Sequence, residues 1–254
     1  MIVKAAPLNG HPVVTRAEWI EARRQHLARE KALTRKLDEL YAERRALPWV
    51  KVELEYLFEG PAGTETLGEL FGRNSQLVVY HFMYGPEWKE GCPGCSFVCD
   101  HIDGANLHLA HHDVSLIAVS RAPFVEFQAF KKRMGWKFKW VSSHGSDFNF
   151  DYHVSFTKES LAKGGVLYNF APKSTDTEGE THGVSVFYKD EAGDIYHTYS
   201  TYARGCDILL GAHHYLDMTP LGRNETSTMS WMRHHDKYEN AAPEHSCCGG
   251  GNGQ

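Results

Sequence analysis

The sequence has little that would place it on nucleic acid or in a membrane. Its 254 residues hold 27 Lys and Arg against 32 Asp and Glu, which gives a formal net charge of −5. No excess of positive charge is available to attract nucleic acid or an anionic lipid surface. No stretch approaches the roughly 20 apolar residues that a membrane-spanning helix needs. We therefore expect neither nucleic acid nor a membrane as a partner.

Cysteine is also scarce, with six residues in all. Three lie close together, and the others are scattered at Cys206, Cys247 and Cys248. This spacing shows no disulfide framework. The first fifteen residues lack the charged and then apolar layout of a secretory signal, so we expect a cytoplasmic protein. In that reducing compartment, clustered cysteines serve redox or metal chemistry rather than structural cross-links.

The chain has enough apolar residues to build a core, because 42% of it is hydrophobic and 12% aromatic. We divide it into a helical extension over residues 1–47, an α/β domain over 48–238 and a tail over 239–254. The tail is rich in glycine and includes two of the cysteines, so we expect it to be disordered.

A long helix is predicted over residues 16–46. Thr15 to Glu18 form a capping box, and leucines then recur at helical spacing from Leu33 to Leu40. Its many charged residues indicate a solvated face. The apolar stripe should pack on the rest of the protein or on a second subunit, so a homodimer through this helix is one expected arrangement.

The middle of the sequence predicts a β-α-β unit. Residues 50–56 alternate as an edge strand does, and 77–82 and 114–120 are compact β-branched runs. Residues 93–112 between those runs have a helix's length, which favours parallel strands.

A second helix is predicted over 124–134, followed by an antiparallel hairpin at 183–188 and 194–199. Residues 135–182 are interpreted as a long insertion or loop region. The overall prediction is an α/β fold with a mixed sheet.

The candidate chemistry lies in the run Gly91-Cys92-Pro93-Gly94-Cys95, which joins the strand to the helix. Proline suits the first helical position, so Cys92 should be the N-cap residue and Cys95 should lie in the first turn. Free N–H groups at the helix start would lower the pKa of Cys92 and make it the attacking sulfur. Cys95 would then resolve the mixed disulfide.

A metal site is the alternative interpretation of the same region. Two or three of Cys92, Cys95 and Cys99, with a histidine such as His81 or His101, offer ligands for zinc, copper or iron. The spacing matches neither common zinc pairs nor a ferredoxin run. We therefore predict no metal and no other cofactor, and keep this ligand set as the alternative.

The chain resembles a bacterial family of unknown function, domain of unknown function 899, whose members are predicted dithiol-disulfide oxidoreductases of thioredoxin fold. The segments that carry the resemblance span residues 15 to about 238. They include Arg44–Val50, Phe58–Pro61, Tyr80–Gly85, Gly91–Phe97, Val119–Pro123, Arg133–Trp136 and Ser200–Gly205. The resemblance implies a thioredoxin-like mixed sheet flanked by helices, with Cys92 and Cys95 as the redox pair. It implies no known substrate.

One departure from ordinary thioredoxins concerns the strand that faces the active site. Those proteins place a cis-proline before this strand, where it binds substrate backbone and keeps metals off the thiols. Here Glu180-Thr181-His182 precedes the predicted strand, without a proline. If Thr181 takes that place, general protein-disulfide exchange is less expected. We assign substrate binding to Tyr84, Trp88 and Thr181.

Three functions are therefore compared. The first is a dithiol-disulfide oxidoreductase or a peroxide-reducing relative, acting on a thiol or disulfide substrate or a redox partner protein. The second is a metal-binding protein or metal-dependent enzyme. The third is a non-catalytic interaction module that keeps the fold. We favour the first, because the cysteine pair lies at a strand-to-helix junction.

Overall fold

The computed structural model describes residues 10–164, 166–172 and 179–238. The eight helices of this part of the chain are α1 (Arg16–Arg45), α2 (Leu67–Leu70), α3 (Pro93–Cys99), α4 (Ile102–Leu109), α5 (Phe124–Arg133), α6 (Phe148–Asp151), α7 (Lys158–Lys163) and α8 (Gly211–Asp217). Short 3-10 helices occur at Ala110–His112, Ala203–Leu209 and His235–Lys237.

Most of the strands belong to one sheet. They are β1 (Val50–Lys51), β2 (Leu57–Gly60), β3 (Gly63–Thr66), β4 (Gln76–His81), β5 (Val114–Ser120), β6 (Trp140–Ser142), β7 (Ser155–Phe156), β8 (Leu167–Tyr168), β9 (Ala171–Pro172), β10 (Gly179–Glu180), β11 (Gly183–Lys189) and β12 (Ile195–Tyr202). The pairs β7/β10 and β8/β9 form two small separate sheets.

The main sheet has eight strands in the order β1-β12-β11-β4-β5-β6-β2-β3. The strands β4, β5 and β6 are parallel, and β11 pairs antiparallel with both β4 and β12. The strand β4, which leads into the cysteine motif, thus lies between a parallel neighbour and an antiparallel hairpin. The expected thioredoxin-like mixed sheet flanked by helices, with a long N-terminal helix, is therefore confirmed.

The sheet is buried on both faces, and the side chains of β4 point alternately into the two cores. Leu77 and Val79 pack in one core with residues of α2 and α6, whereas Tyr80 and Phe82 pack in the other with residues of α3 and α5. Burial on both faces explains why the parallel strands have nearly continuous apolar runs. Because β4 and β5 are parallel, their carboxyl ends meet at one edge of the sheet, and the cysteine motif follows β4 there.

Several predicted boundaries change in the structure. The strand expected over 50–56 is only two residues long, although it does lie at the sheet edge. The helix expected over 93–112 is divided into α3, α4 and a 3-10 turn. The predicted insertion at 135–182 contributes β6 to the main sheet, and three residues are too few to show a strand period.

The N-terminal helix forms as predicted, with the Thr15 and Glu18 capping box in place. None of its 30 residues is buried, and its exposed large apolar side chains are Trp19, Ile20, Leu27, Leu33, Leu37 and Leu40. Its last turn touches the sheet through Arg44, whose guanidinium lies 4.6 Å from the ring centre of Tyr199. The predicted disordered tail lies outside the described residues. No helix among the described residues is long and apolar enough to cross a membrane.

Candidate functional site: the Cys92 and Cys95 thiols

Cys92 lies at the junction between the loop that follows β4 and the start of α3. It is the N-cap residue, with an extended backbone (φ −58°, ψ 129°), and Pro93 takes the first helical position. The backbone N–H of Cys92 donates to the carbonyl oxygen of Met83 at 3.2 Å. The local geometry is the one that the sequence predicted, because proline loses no hydrogen bond at that position.

The surroundings of Cys92 favour its thiolate. The neighbouring Cys95 side chain is the largest cause that lowers the pKa of Cys92, to about 6 from an ordinary 9.0. Partial burial opposes this shift, and the backbone N–H groups of Cys95 and Gly94 add to it. From the sequence we expected the helix start alone to lower the pKa of Cys92. The structure adds the Cys95 thiol as the largest cause.

Cys95 has the opposite character. It is 2% exposed, and burial raises its pKa well above that of an ordinary cysteine. Its Sγ accepts a hydrogen bond from the backbone N–H of Met83 at 3.4 Å. One thiol is thus half-buried with a low pKa, and its neighbour is sealed in the core with a high one. This is the asymmetry that an attacking and a resolving cysteine require.

The two glycines of the motif differ in how closely their neighbours approach. A Cβ atom on Gly91 would lie within 2.6 to 2.8 Å of the rings of Phe82 and Phe130, so a larger residue would displace the loop before Cys92. A Cβ atom on Gly94 would lie 3.7 Å from the Cys92 sulfur and equally close to the sulfur of Met229. These are ordinary van der Waals distances, so the packing requires glycine at position 91 and not at position 94.

The three predicted substrate-binding residues occupy different places. Tyr84 is 1% exposed and packs against Phe127 and Phe130, so it belongs to the core and not to a surface that a substrate meets. The strand alternation seen at Tyr80 and Phe82 continues into this residue. Trp88 is 38% exposed, so it remains accessible in the loop before the motif.

Thr181 lies at the position that the sequence singled out. It comes two residues before Gly183, which pairs with His81, so the antiparallel register carries Thr181 toward Met83. Its backbone N–H and its hydroxyl both donate to the carbonyl oxygen of Val154, at 2.7 and 3.2 Å. No cis peptide bond occurs among the described residues, so Thr181 does not reproduce the proline geometry of ordinary thioredoxins.

A buried ion pair adjoins Thr181, and sequence reasoning missed it. Glu180 accepts from Arg121 Nε at 2.7 Å and from Ser155 Oγ at 2.5 Å. Its side chain is 2% exposed, and a Cβ atom on Gly85 would lie 3.3 Å from its Cγ. The pair joins the segment before β11 to the end of β5, across residues that are far apart in sequence.

The alternative metal ligands do not come together. His81 lies on the other face of the sheet from the thiols, where its Nε2 hydrogen-bonds to Ser185. Both ring nitrogens of His101 are engaged, since Nδ1 bonds to the Phe97 carbonyl and Nε2 accepts from the Ala212 N–H. Cys99 is fully buried beside Cys95 on α3. Over the part of the chain that the structure describes, no three His, Cys, Asp or Glu side chains are grouped to hold a metal.

A C-terminal segment, residues 225–238, completes the site. Met229 and Trp231, like Cys92, pack against the core that contains Cys95, and the ring of Trp231 meets Phe97 of α3 edge to face. Cys206 is buried in the same core. The sequence offered no local pattern for these contacts, because they join residues more than one hundred positions apart.

One family model matches most of the chain. Residues 8–238 match the family described as "Bacterial protein of unknown function (DUF899)". No curated protein matches the chain.

Solved structures match only at low similarity. A mutant form of PrxQ from Xylella fastidiosa is 12% identical with a TM-score of 0.44, covering 66% of this chain and 94% of that one. Peroxidoxin BcpB from Mycobacterium tuberculosis is 12% identical with a TM-score of 0.42, covering 64% and 93%. A putative thiol:disulfide interchange protein DsbE from Chlorobium tepidum is 11% identical with a TM-score of 0.39, covering 65% and 97%. Such values establish no shared activity.

The strand order and the neighbouring free cysteines define a thioredoxin-like α/β protein with a CxxC motif. The chain belongs to the bacterial DUF899 family, whose model matches most of its length.

Proposed function

We propose that this protein is a dithiol-disulfide oxidoreductase in which Cys92 attacks and Cys95 resolves. The observation that carries the proposal is the contrast between the two thiols: the pKa of Cys92 is lowered to about 6, and that of the buried Cys95 is raised. Near neutral pH, Cys92 is then largely the nucleophilic thiolate while Cys95 remains a protonated thiol.

The reaction follows from these two states. The Cys92 thiolate attacks one sulfur of a substrate disulfide, and the substrate's other sulfur leaves as a thiolate that takes a proton from water. Cys95 then loses its proton, which ends on the departing substrate sulfur, and attacks the Cys92 sulfur of the mixed disulfide. The second substrate thiol leaves, and a Cys92–Cys95 disulfide remains. An external thiol reductant returns the pair to its reduced state.

The remaining features bear on the substrate and the compartment. Trp88 stays accessible beside the motif, and we assign it and Thr181 to substrate contact. We propose a small disulfide or a redox partner protein as the substrate. A reducing cytoplasm suits a chain in which Cys92, Cys95, Cys99 and Cys206 are all free.

The test uses reduced protein and oxidised glutathione, with products followed by mass spectrometry. Wild type should release two glutathione molecules per disulfide consumed and end with Cys92 joined to Cys95. The Cys95→Ser variant should stop at a glutathione adduct on Cys92, and Cys92→Ser should not react at this motif. Cys99→Ser is the matched control, because it removes a buried thiol of the same helix and should behave as wild type. A Cys92→Ser variant that consumes oxidised glutathione at this motif as fast as wild type would overturn the proposal.

A further inference from the structure

Tyr80 has a buried hydroxyl group that forms no hydrogen bond of ordinary geometry with the described residues. The residue lies on β4 and is 1% exposed, and among the described residues no group pairs with its Oη in the geometry of an ordinary hydrogen bond. A hydroxyl group removed from water without a partner costs about 1–3 kcal/mol. Its position in the core that faces α3 therefore calls for a physical reason.

The Tyr80 hydroxyl lies beside the Cys95 thiol. The two side chains belong to the same buried core, and they interact with each other, although not in the geometry of an ordinary hydrogen bond. Cys99 of α3 and Cys206 after β12 are other thiols of the same core that contribute to raising the pKa of Tyr80. Cys206 donates to the Thr201 carbonyl oxygen at 3.7 Å. Of these thiols, Cys95 is the one with a reactive neighbour, Cys92.

The resolving step requires an added stabilising interaction at Cys95. Cys95 must become a thiolate inside a core that excludes water, and burial strongly disfavours that charge. The backbone N–H of Met83 already points at the Cys95 sulfur, at 3.4 Å. A second donor on the same sulfur would spread the negative charge over two hydrogen bonds, which are stronger when the acceptor is ionised.

We propose that the Tyr80 hydroxyl is the second donor to the Cys95 thiolate, and that together with the Met83 N–H it forms a pocket that stabilises this sulfur while it attacks Cys92. The inference rests on the proposed function. Tyr80 keeps its own proton throughout. The new bond forms between the Cys95 and Cys92 sulfurs, and the bond from Cys92 to the substrate sulfur breaks. The proton that Cys95 releases before attack ends on the departing substrate sulfur, which leaves as a thiol. In the reduced protein the Tyr80 hydroxyl lacks an ordinary hydrogen bond, and it donates one when Cys95 is ionised.

The experiment separates attack from resolution with an aromatic disulfide, 5,5′-dithiobis(2-nitrobenzoate), whose coloured thiolate is released once in each step. The full-length chain is used with Cys247→Ser and Cys248→Ser, so that these two cysteines do not consume reagent. In Tyr80→Phe, the first release should keep its rate because Cys92 is unaltered. The second release should slow about 10- to 100-fold, the cost of one hydrogen bond to a charged group. The pH at which the second release reaches half of its maximal rate should also be higher in Tyr80→Phe than in wild type.

Tyr152→Phe is the matched control, because this tyrosine belongs to the core on the opposite face of the sheet. It should leave both releases unchanged. Equal second-phase rates for Tyr80→Phe and wild type would overturn the role of Tyr80 while leaving the dithiol mechanism intact. Loss of the first release in wild type, or its persistence in Cys92→Ser, would instead overturn the proposed function itself. Circular dichroism and thermal unfolding identify any variant that fails to fold.

Discussion

The imidazole of His234 donates through Nε2 to the carbonyl oxygen of Gly91 at 2.8 Å, so the C-terminal segment is bonded to the residue that precedes Cys92. The other ring nitrogen accepts from Arg133 at 3.0 Å. Lys237 and Arg133 also pair with Glu90 in the same loop. The loop before the motif is therefore held by Arg133 of α5 and by His234 and Lys237 from the far end of the described chain.

The His234 contact predicts a loss of stability on substitution. In His234→Ala, the Gly91 carbonyl and the Arg133 donor lose a buried partner, so the free energy of unfolding should fall by about 1–3 kcal/mol. His234→Gln retains a side-chain N–H, and it should lose less. Urea unfolding of both variants gives the comparison. Equal losses would show that packing, and not the hydrogen bond, accounts for the effect.

The reactivity of Cys92 should follow a low pKa. Its alkylation by iodoacetamide, measured on the Cys92 peptide by mass spectrometry, should be half-maximal near pH 6. Below that pH the thiol is protonated, and the rate should drop about tenfold per pH unit. Cys95→Ala removes the largest contribution, so the midpoint should move to higher pH, whereas Cys99→Ala should leave it nearly unchanged. A wild-type midpoint near 9 would contradict the site's electrostatics.

Thr181 should not accept the proline found in ordinary thioredoxins. Its N–H donates to the Val154 carbonyl at 2.7 Å, and proline has no such donor. Thr181→Pro should therefore lower the free energy of unfolding by about 1–3 kcal/mol. Thr181→Val keeps the N–H and the branched shape and loses only the hydroxyl contact. It should be closer to wild type, and the opposite order in thermal unfolding would contradict this interpretation of the segment before β11.

His81 should make the protein sensitive to acid. Burial is the main cause that lowers its pKa to about 3, from 6.5 in an exposed histidine. The unfolded chain therefore binds this proton at higher pH than the folded one, so stability is present above pH 6.5 and is lost as the pH falls toward 3. Unfolding free energies of wild type and His81→Gln, measured across this window, should diverge by up to about 1.4 kcal/mol per pH unit. Parallel curves would show that His81 is not the group responsible.

We propose that a second copy of the chain covers helix α1. The helix buries none of its residues, although most helices in proteins depend on tertiary packing for stability. Trp19, Leu33 and Leu40 are exposed and are spaced at multiples of seven residues, which places them along one face suited to pairing with another helix.

Light scattering should therefore show a dimer for the full-length chain. The double variant Leu33→Glu, Leu40→Glu should be monomeric, because two charges would enter the seam. Leu27→Glu, also on α1 but on a different face, is the control and should stay dimeric. A monomeric wild type at micromolar concentration would contradict the proposal.

Local sequence patterns were sufficient for the parts of the fold that depend on neighbours in the chain. The Thr15 capping box, the apolar runs of β4 and β5, and the proline after Cys92 each act within a few residues, and the structure reproduces all three. By contrast, β6 was missed because a three-residue strand is formed by pairing with β5 rather than by any period of its own.

The sequence by itself determined the sheet type, the long helix and the position of the cysteine pair, because hydrophobic period and helix-start chemistry are local properties. Only the tertiary structure decided what surrounds the thiols. Cys95 is buried against Tyr80 and Met83, His81 is turned to the opposite face of the sheet, and His234 reaches the loop from the end of the described chain. These placements depend on which strands pair and which helices pack on them, and such long-range contacts leave no pattern among adjacent residues.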